Sequence, residues 1–400
     1  MKNLYTIKGV VQDYAWGGSN FISSLLGTEI TATPKAEYWL GAHENAPSEL
    51  ITDNGVVLLN DFIATDAPSI LGEEIAHTFG RLPFLFKVMD VHDMLSIQVH
   101  PSKKSAELGY QRENELNIPL TASHRNYKDD NHKPEIMIAL SDFWLLHGFL
   151  SETKLIKVLQ EVPEFNTFLS VFEKEGYKGL YKRVLEFSKE ATNTILEPLA
   201  KRILPLYISG ELQKSSPDYW AAKAIATASD TTNYDTGIFS VYFFNLVQVR
   251  KGEAVFQDAG VPHAYLEGQN IELMANSDNV LRCGLTPKHI DIPELLKHVV
   301  FEATYPKILT GSSDASGFES LFHTSASDFL LSELVLKEGD VYNSTSKSAI
   351  ISIVFEGAVT VNTNDTSLNF SKGESFLILT GVDYTIAADK DARLYKATTP

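Results

Sequence analysis

Short strand-like runs, interrupted once by a long helical stretch, limit most strongly what this chain can fold into. "AEYWLGAH", "PFLFKVMDV", "MLSIQVH" and "EIMIALSDFWLLHGF" are brief apolar or alternating segments bounded by turn residues. That is the pattern of many short strands in a sandwich or barrel. The texture changes after Leu150. Ser151 and Glu152 stand in the order of a helix cap followed by an acid in the first turn. Leu180, Val184 and Phe187 then fall at helical spacing, as do Leu196, Leu199 and Ile203, and "YWAAKAIATAS" continues the pattern. Strand texture returns in "GIFSVYFFNLVQV", followed by a tight turn at Arg250, Lys251 and Gly252 and a strand at "EAVFQ". Asp291 and Pro293 open a short helix, "PELLKHVVF". From about Leu321 the chain reads as strands again, and "VFEGAVTVNTNDTSLNFSKGESFLI" has the glycine-punctuated spacing of a cupin-like barrel. The expected fold is mainly β: residues 1–150 and 236–320 as one domain, 151–235 as a helical insertion, and 321–400 as a second, cupin-like domain. The last histidine is His323, so this second domain lacks the imidazoles of a cupin metal site and is expected to be structural.

With 400 residues and 44% hydrophobic content, the chain has ample material for a large core. Its single cysteine, Cys283, excludes an intrachain disulfide and suits a reducing cytoplasm. No run approaches the roughly 18 apolar residues of a membrane span, and the opening "MKNLYTIKGVVQDYAWGG" does not read as an export signal. A formal net charge of −17 argues against nucleic-acid binding. A site for an anionic substrate must therefore gather its own positive charge against that field. The expectation is a soluble, cytoplasmic monomer with no nucleic-acid or membrane partner.

In "SIQVHPSKK", Ser96, Gln98 and His100 alternate with Ile97 and Val99, so in a strand the three polar side chains share one face. Burying such a row costs free energy unless something pairs with it. Two more strand-like segments add Glu135, in "NHKPEIMIAL", and His263, in "AGVPHAYLEG". Two imidazoles, a carboxylate and an amide oxygen suit zinc or a similar divalent ion. Gln98 and His100 would grip it from one strand, and Glu135 and His263 from neighbouring strands, as a barrel interior allows. His43, His77, His92, His124, His147, His289, His298 and His323 are read as core or surface side chains.

"YAWGGSNFISSLLG", "KAEYWLGAHENAPS", "LPFLFKVMDVHDMLSIQVHPSKKSA", "YKDDNHKPEIMIAL", "VPHAYLEG" and "IELMANSDNVLRCGLTPKHIDIPEL" follow one another along the chain. In content and order they resemble the type I mannose-6-phosphate isomerases, from the N-terminus to about residue 300 with the helical stretch between. The resemblance implies a cupin core, a helical insertion and a C-terminal β domain. It implies an aldose–ketose isomerase that interconverts mannose 6-phosphate and fructose 6-phosphate through a cis-enediol. It also implies one zinc ion per chain, held by Gln98, His100, Glu135 and His263, and an active-site arginine at Arg282. The visible departure is Cys283, where the family has alanine; a small thiol there replaces a methyl group. Whether such an enzyme would serve sugar catabolism or GDP-mannose supply stays open.

Moving a proton between C1 and C2 needs a positive charge for the developing oxyanion and a base within reach. The candidate bases are Glu272, Lys133, His132, Lys288 and Asp278. Lys133 is two residues before Glu135, on the same side of a strand and thus near the ion. Arg282 can grip a phosphate or an enediolate with paired donors. Lys87, inside the apolar "FLFKVM", and Ser96 are the expected phosphate contacts. Trp16 is placed at the site's border and Tyr265 in the pocket. Two rival readings remain at this point: an iron(II) cupin oxygenase built on two histidines and a carboxylate, and a non-catalytic sugar-phosphate-binding barrel.

Overall fold

The strand Phe84–Val91 is buried at every position, so both of its faces need a partner layer. Phe84, Phe86 and Val88 pack into the largest apolar core, which they share with the C-terminal strands. Met89 and Val91, on the other face, join Met137, Ala139, Leu145 and Tyr265 in a smaller core inside the barrel. The strand Glu135–Ala139 divides in the same way: Ile136 and Ile138 enter the large core, Met137 and Ala139 the inner one. Burial on both sides explains why these segments read as nearly continuous apolar runs.

The chain is seen here as a computed structural model describing residues 2–400. Phe143–Phe149, His263–Ala275, Phe84–Val91 and Glu37–Gly41 lie side by side in one antiparallel sheet, joined by Ile97–Val99, Glu135–Ala139 and Leu281–Gly284. His263–Ala275 is the spine of that sheet. Its first half pairs with Phe143–Phe149 and its second with Phe84–Val91. Between Tyr265 and Glu267 the register shifts, and Gly268, at φ 129°, lies against Phe143. A bulge of this kind reverses which residues face inward. It puts Tyr265 and Glu272 on one face although strict alternation would set them on opposite faces, and the Tyr265 hydroxyl donates to Glu272 Oε1 at 2.8 Å.

Four α-helices, Glu152–Glu161, Leu169–Leu185, Lys189–Ile208 and Pro217–Thr227, fall between residues 151 and 235. Ser151 precedes the first of these but forms no side-chain cap. The expected apolar stripes pack as read: Leu180, Val184, Leu196, Leu199 and Ile203 are core residues, and Phe187 is partly buried beside them. Against this helical core lie Ile97, Val99, Leu281 and Cys283, so Gln98 and Arg282, on the alternate face, are left to the barrel interior. One reading is corrected. Gly237–Phe243 is a helix and only Phe244–Val249 is strand. All seven residues of that helix are buried, and a continuous apolar run has no period to tell helix from strand.

The C-terminal region is all strand from Ser312 onward, in an open sheet and a four-stranded sheet of Val341–Thr345, Asp383–Ala388, Ala358–Thr363 and Ser367–Ser371. Strand pairing crosses the boundary expected at residue 321. Leu4–Lys8 pairs with Ser375–Ile378, and Glu49–Thr52 with Gly55–Leu58 extends the same sheet. The N-terminal segment thus covers a C-terminal sheet edge that would otherwise offer unpaired backbone groups. Among the described residues, no helix is long and apolar enough to cross a membrane.

Candidate active site

His100 follows the strand Ile97–Val99 and is fully buried. Its Nδ1 is 2.8 Å from the backbone oxygen of Asn279. A carbonyl only accepts, so the ring proton sits on Nδ1 and Nε2 is left as a lone-pair donor. That Nε2 has no hydrogen-bond partner. His263 is arranged alike, with Nδ1 2.9 Å from the oxygen of Val261. The two Nε2 atoms lie 3.4 and 3.3 Å from the two oxygens of Glu135. His100, Glu135 and His263 are the one group of three imidazole, thiol or carboxylate side chains among the described residues with ligand atoms all within 4.8 Å. Burial depresses the His100 imidazole to about 4, which keeps it neutral. Burial would raise the Glu135 carboxyl, but Lys133 and the imidazoles hold it well below the usual carboxylate range. Imidazoles anchored through Nδ1 and an ionised carboxylate are what a zinc-type ion requires.

Gln98 is opposite His263 on one side and Arg282 on the other. It lines the same cavity, of about 70 Å³, as His263, Glu135, Lys133, Lys87 and Tyr265. A larger groove of about 450 Å³ on the C-terminal four-stranded sheet is lined by Asn, Ser, Thr and Asp side chains and Tyr384, without imidazole or lysine. The imidazole, carboxylate and lysine side chains gather at the smaller cavity.

The candidate bases separate by their partners. Glu272 uses both oxygens, one for Tyr265 and one for Lys87 at 2.9 Å; burial lifts it above the usual carboxylate range against the pull of Lys87. Lys133 is 2.9 Å from Glu135. His132, another candidate base, has its Nε2 2.9 Å from the buried Asp328 of the C-terminal region, so that nitrogen is already engaged. Lys288 is exposed, next to Arg282, and burial with that charge lowers it. Asp278 accepts from His43 at 3.2 Å and lies below the usual carboxylate range: burial would raise it, but the His43 bond pulls it down.

The two expected phosphate contacts have different surroundings. Lys87 is buried between Glu272 and Glu37, the latter at 3.5 Å, with its ammonium 5.3 Å from the Trp39 ring. Burial alone would lower it, but the two carboxylates raise it above the ordinary lysine range. An approaching phosphate would meet those same carboxylates, so Lys87 is a poor anion contact. Ser96 stands half-buried at the start of the Gln98 strand. Arg282 is half-buried with no carboxylate partner, and burial alone lowers it. Trp16 packs on the inner core and stacks on Tyr14 at 5.9 Å.

Residues 4–151 match the family model of the type I phosphomannose isomerase catalytic domain. The mannose-6-phosphate isomerases of Escherichia coli (strain K12) and Salmonella typhimurium are each 38% identical to this chain, covering 92% of it and 93% of their own length. The chain belongs to the type I phosphomannose isomerase family. A crystal structure of a mutant phosphomannose isomerase from Salmonella typhimurium matches the whole chain at 34% identity and TM-score 0.90. Another from that bacterium, described as bound to fructose 6-phosphate and zinc, matches at 33% and 0.88. In this member of the phosphomannose isomerase family, sequence reasoning passed over His43, Glu37 and Lys128. His43 and Glu37 stand inside "KAEYWLGAHENAPS", and Glu37 shares a fully buried strand with Trp39. A carboxylate in such a strand was the available signal. Lys128 is lowered by burial and by the charges of Arg125 and Arg282 around it, a proximity that only the fold creates.

Proposed function

We propose that this chain is a zinc-dependent isomerase of mannose 6-phosphate and fructose 6-phosphate, with Gln98, His100, Glu135 and His263 holding the ion. The observation that carries the reading is the pair of buried imidazoles, engaged through Nδ1 by backbone carbonyls and turned through Nε2 onto one carboxylate. When bound, the ion supplies fixed positive charge to the sugar oxygens as negative charge grows on them.

The rest falls to the chain's own side chains. Arg282, in the positive field of Lys128 and Lys288, grips the phosphate; the lack of a carboxylate partner in a chain of net charge −17 supports this. Asp278 carries the proton. Its direct side-chain partners are His43 and Asn45, so unlike Glu272 and Glu135 it has no adjoining ammonium within salt-bridge distance. It takes the proton from C2 while the C–H electron pair forms the C1–C2 double bond and the C1=O1 π pair moves onto O1; the proton then returns to C1 on the double-bond pair as one proton passes from O2 to O1 and C2=O2 forms. Tyr265 and Lys87 hold Glu272 in the cavity wall. An oxygenase reading would leave the arginine and lysine cluster without a task. The same proposal places the enzyme in the cytoplasm as a monomer, with its buried thiol reduced.

Dialysis against a strong chelator is expected to abolish fructose 6-phosphate formation from mannose 6-phosphate, and added zinc to restore it. Full turnover by demonstrably metal-free protein would refute the proposal.

A further inference from the structure

We infer that His43 is a positioning residue, whose Nε2–H fixes the Asp278 carboxylate for proton transfer. The inference rests on the role given to Asp278 above and extends it to a side chain that does not itself touch the cavity wall. Three observations carry it. First, the backbone N–H of Asn45 donates to His43 Nδ1 at 3.3 Å. A nitrogen that accepts cannot also carry the ring proton, so the proton is on Nε2, the atom 3.2 Å from Asp278 Oδ1.

Second, the ring cannot swing. His43 is buried and meets Trp39 edge-on at 4.9 Å and 68°. Trp39 is in turn held by its Nε1–H donating to Glu37 at 2.5 Å. Third, Asp278 is held through both its side chain and its main chain. Asn45 Nδ2 reaches Oδ2 at 3.5 Å, and the Asp278 backbone N–H donates to Asp129 Oδ2 at 2.7 Å. The charges that Asp278 faces are those of Lys133 and Lys87 from the cavity and Lys128 and Asp129 from the loop across it, with the Tyr14 hydroxyl at the rim. None of these is a direct side-chain partner of its oxygens. His43 is therefore the anchor that sets where the lone pairs point, as the third group of a triad orients its base.

The test compares variants by turnover, pH profile and metal content. His43→Leu removes the donor. It should lower kcat at least about tenfold with KM for mannose 6-phosphate within about twofold of native. Loss of a hydrogen bond to the charged form should also move the acid limb of the kcat/KM profile to higher pH, with zinc content unchanged. His43→Gln, whose amide N–H reaches about as far as Nε2, should recover most of the rate and the acid limb; His43→Asn, one methylene shorter, should not. In an Asp278→Asn background, His43→Leu should cost no more than about twofold further. An Asp278→Asn enzyme that keeps native turnover overturns the base assignment itself. An inactive Asp278→Asn enzyme beside a His43→Leu enzyme of native rate and acid limb overturns the His43 inference alone. Should the leucine variant fail to fold, equal rates for the folded Gln and Asn variants would overturn it as well.

Discussion

Lys87 shows how far neighbours decide what a side chain does. Alone in an apolar run it reads as an anion contact; in the fold it neutralises Glu272 and Glu37. Lys87→Met leaves two buried carboxylates uncompensated, which costs about 3–5 kcal/mol. The expected result in urea unfolding is a loss of that order, with turnover of mannose 6-phosphate and of free mannose falling together. A rise in KM confined to the phosphorylated sugar would return Lys87 to phosphate binding. His147 tests burial in another way. It neighbours His263 in the sheet, and burial together with His263 depresses it from 6.5 to about 4. As pH falls through 6.5 the unfolded chain takes up a proton that the native ring refuses until about 4. Stability contributed by the neutral ring is thus full above 6.5 and is lost across that window, by roughly 3 kcal/mol. His147→Leu should unfold with a shallower pH dependence between those limits, measured by urea titrations at several pH values. An unchanged slope would contradict the assignment.

At the scale of single elements, the strand His263–Ala275 does most to build the site, and it was only half legible. The polar row Ser96, Gln98 and His100 could be read because alternate polar residues in an apolar setting require a common partner. The face shared by His263 and Tyr265 could also be read, but its link to Glu272 could not, because the bulge near Glu267 reverses the alternation that such reading depends on. Gly268 marks the place: its φ of 129° is a region side chains rarely adopt, and a Cβ there would meet Phe143 at 2.7 Å. Gly268→Ala should cost about 1–3 kcal/mol and lower kcat by disturbing the Tyr265–Glu272 contact. A variant of native stability and rate would show that the bulge tolerates a side chain. The helix Gly237–Phe243 escaped notice for the opposite reason, since uniform burial leaves no pattern at all. His132 and Asp328 were unreadable as partners, being joined only when the C-terminal region folds against the barrel.

Across the described residues, the three largest apolar cores divide the labour: one between barrel and C-terminal sheets, one inside the barrel, and one under the helices. The first explains why the N-terminal strand Leu4–Lys8 belongs to the C-terminal sheet, a pairing of distant segments that local patterns do not record. The interior that remains gathers Gln98, His100, Glu135 and His263 from separate strands and loops, and the proposed chemistry depends on their meeting at one cation. X-ray absorption at the zinc edge of the purified holoenzyme tests that meeting most directly. One zinc per chain is expected, with two imidazole nitrogens at about 2.0–2.1 Å and oxygen donors at about 2.0–2.2 Å, and loss of one imidazole from the spectrum in His263→Ala. A first shell without histidine, or a spectrum untouched by that substitution, would contradict it.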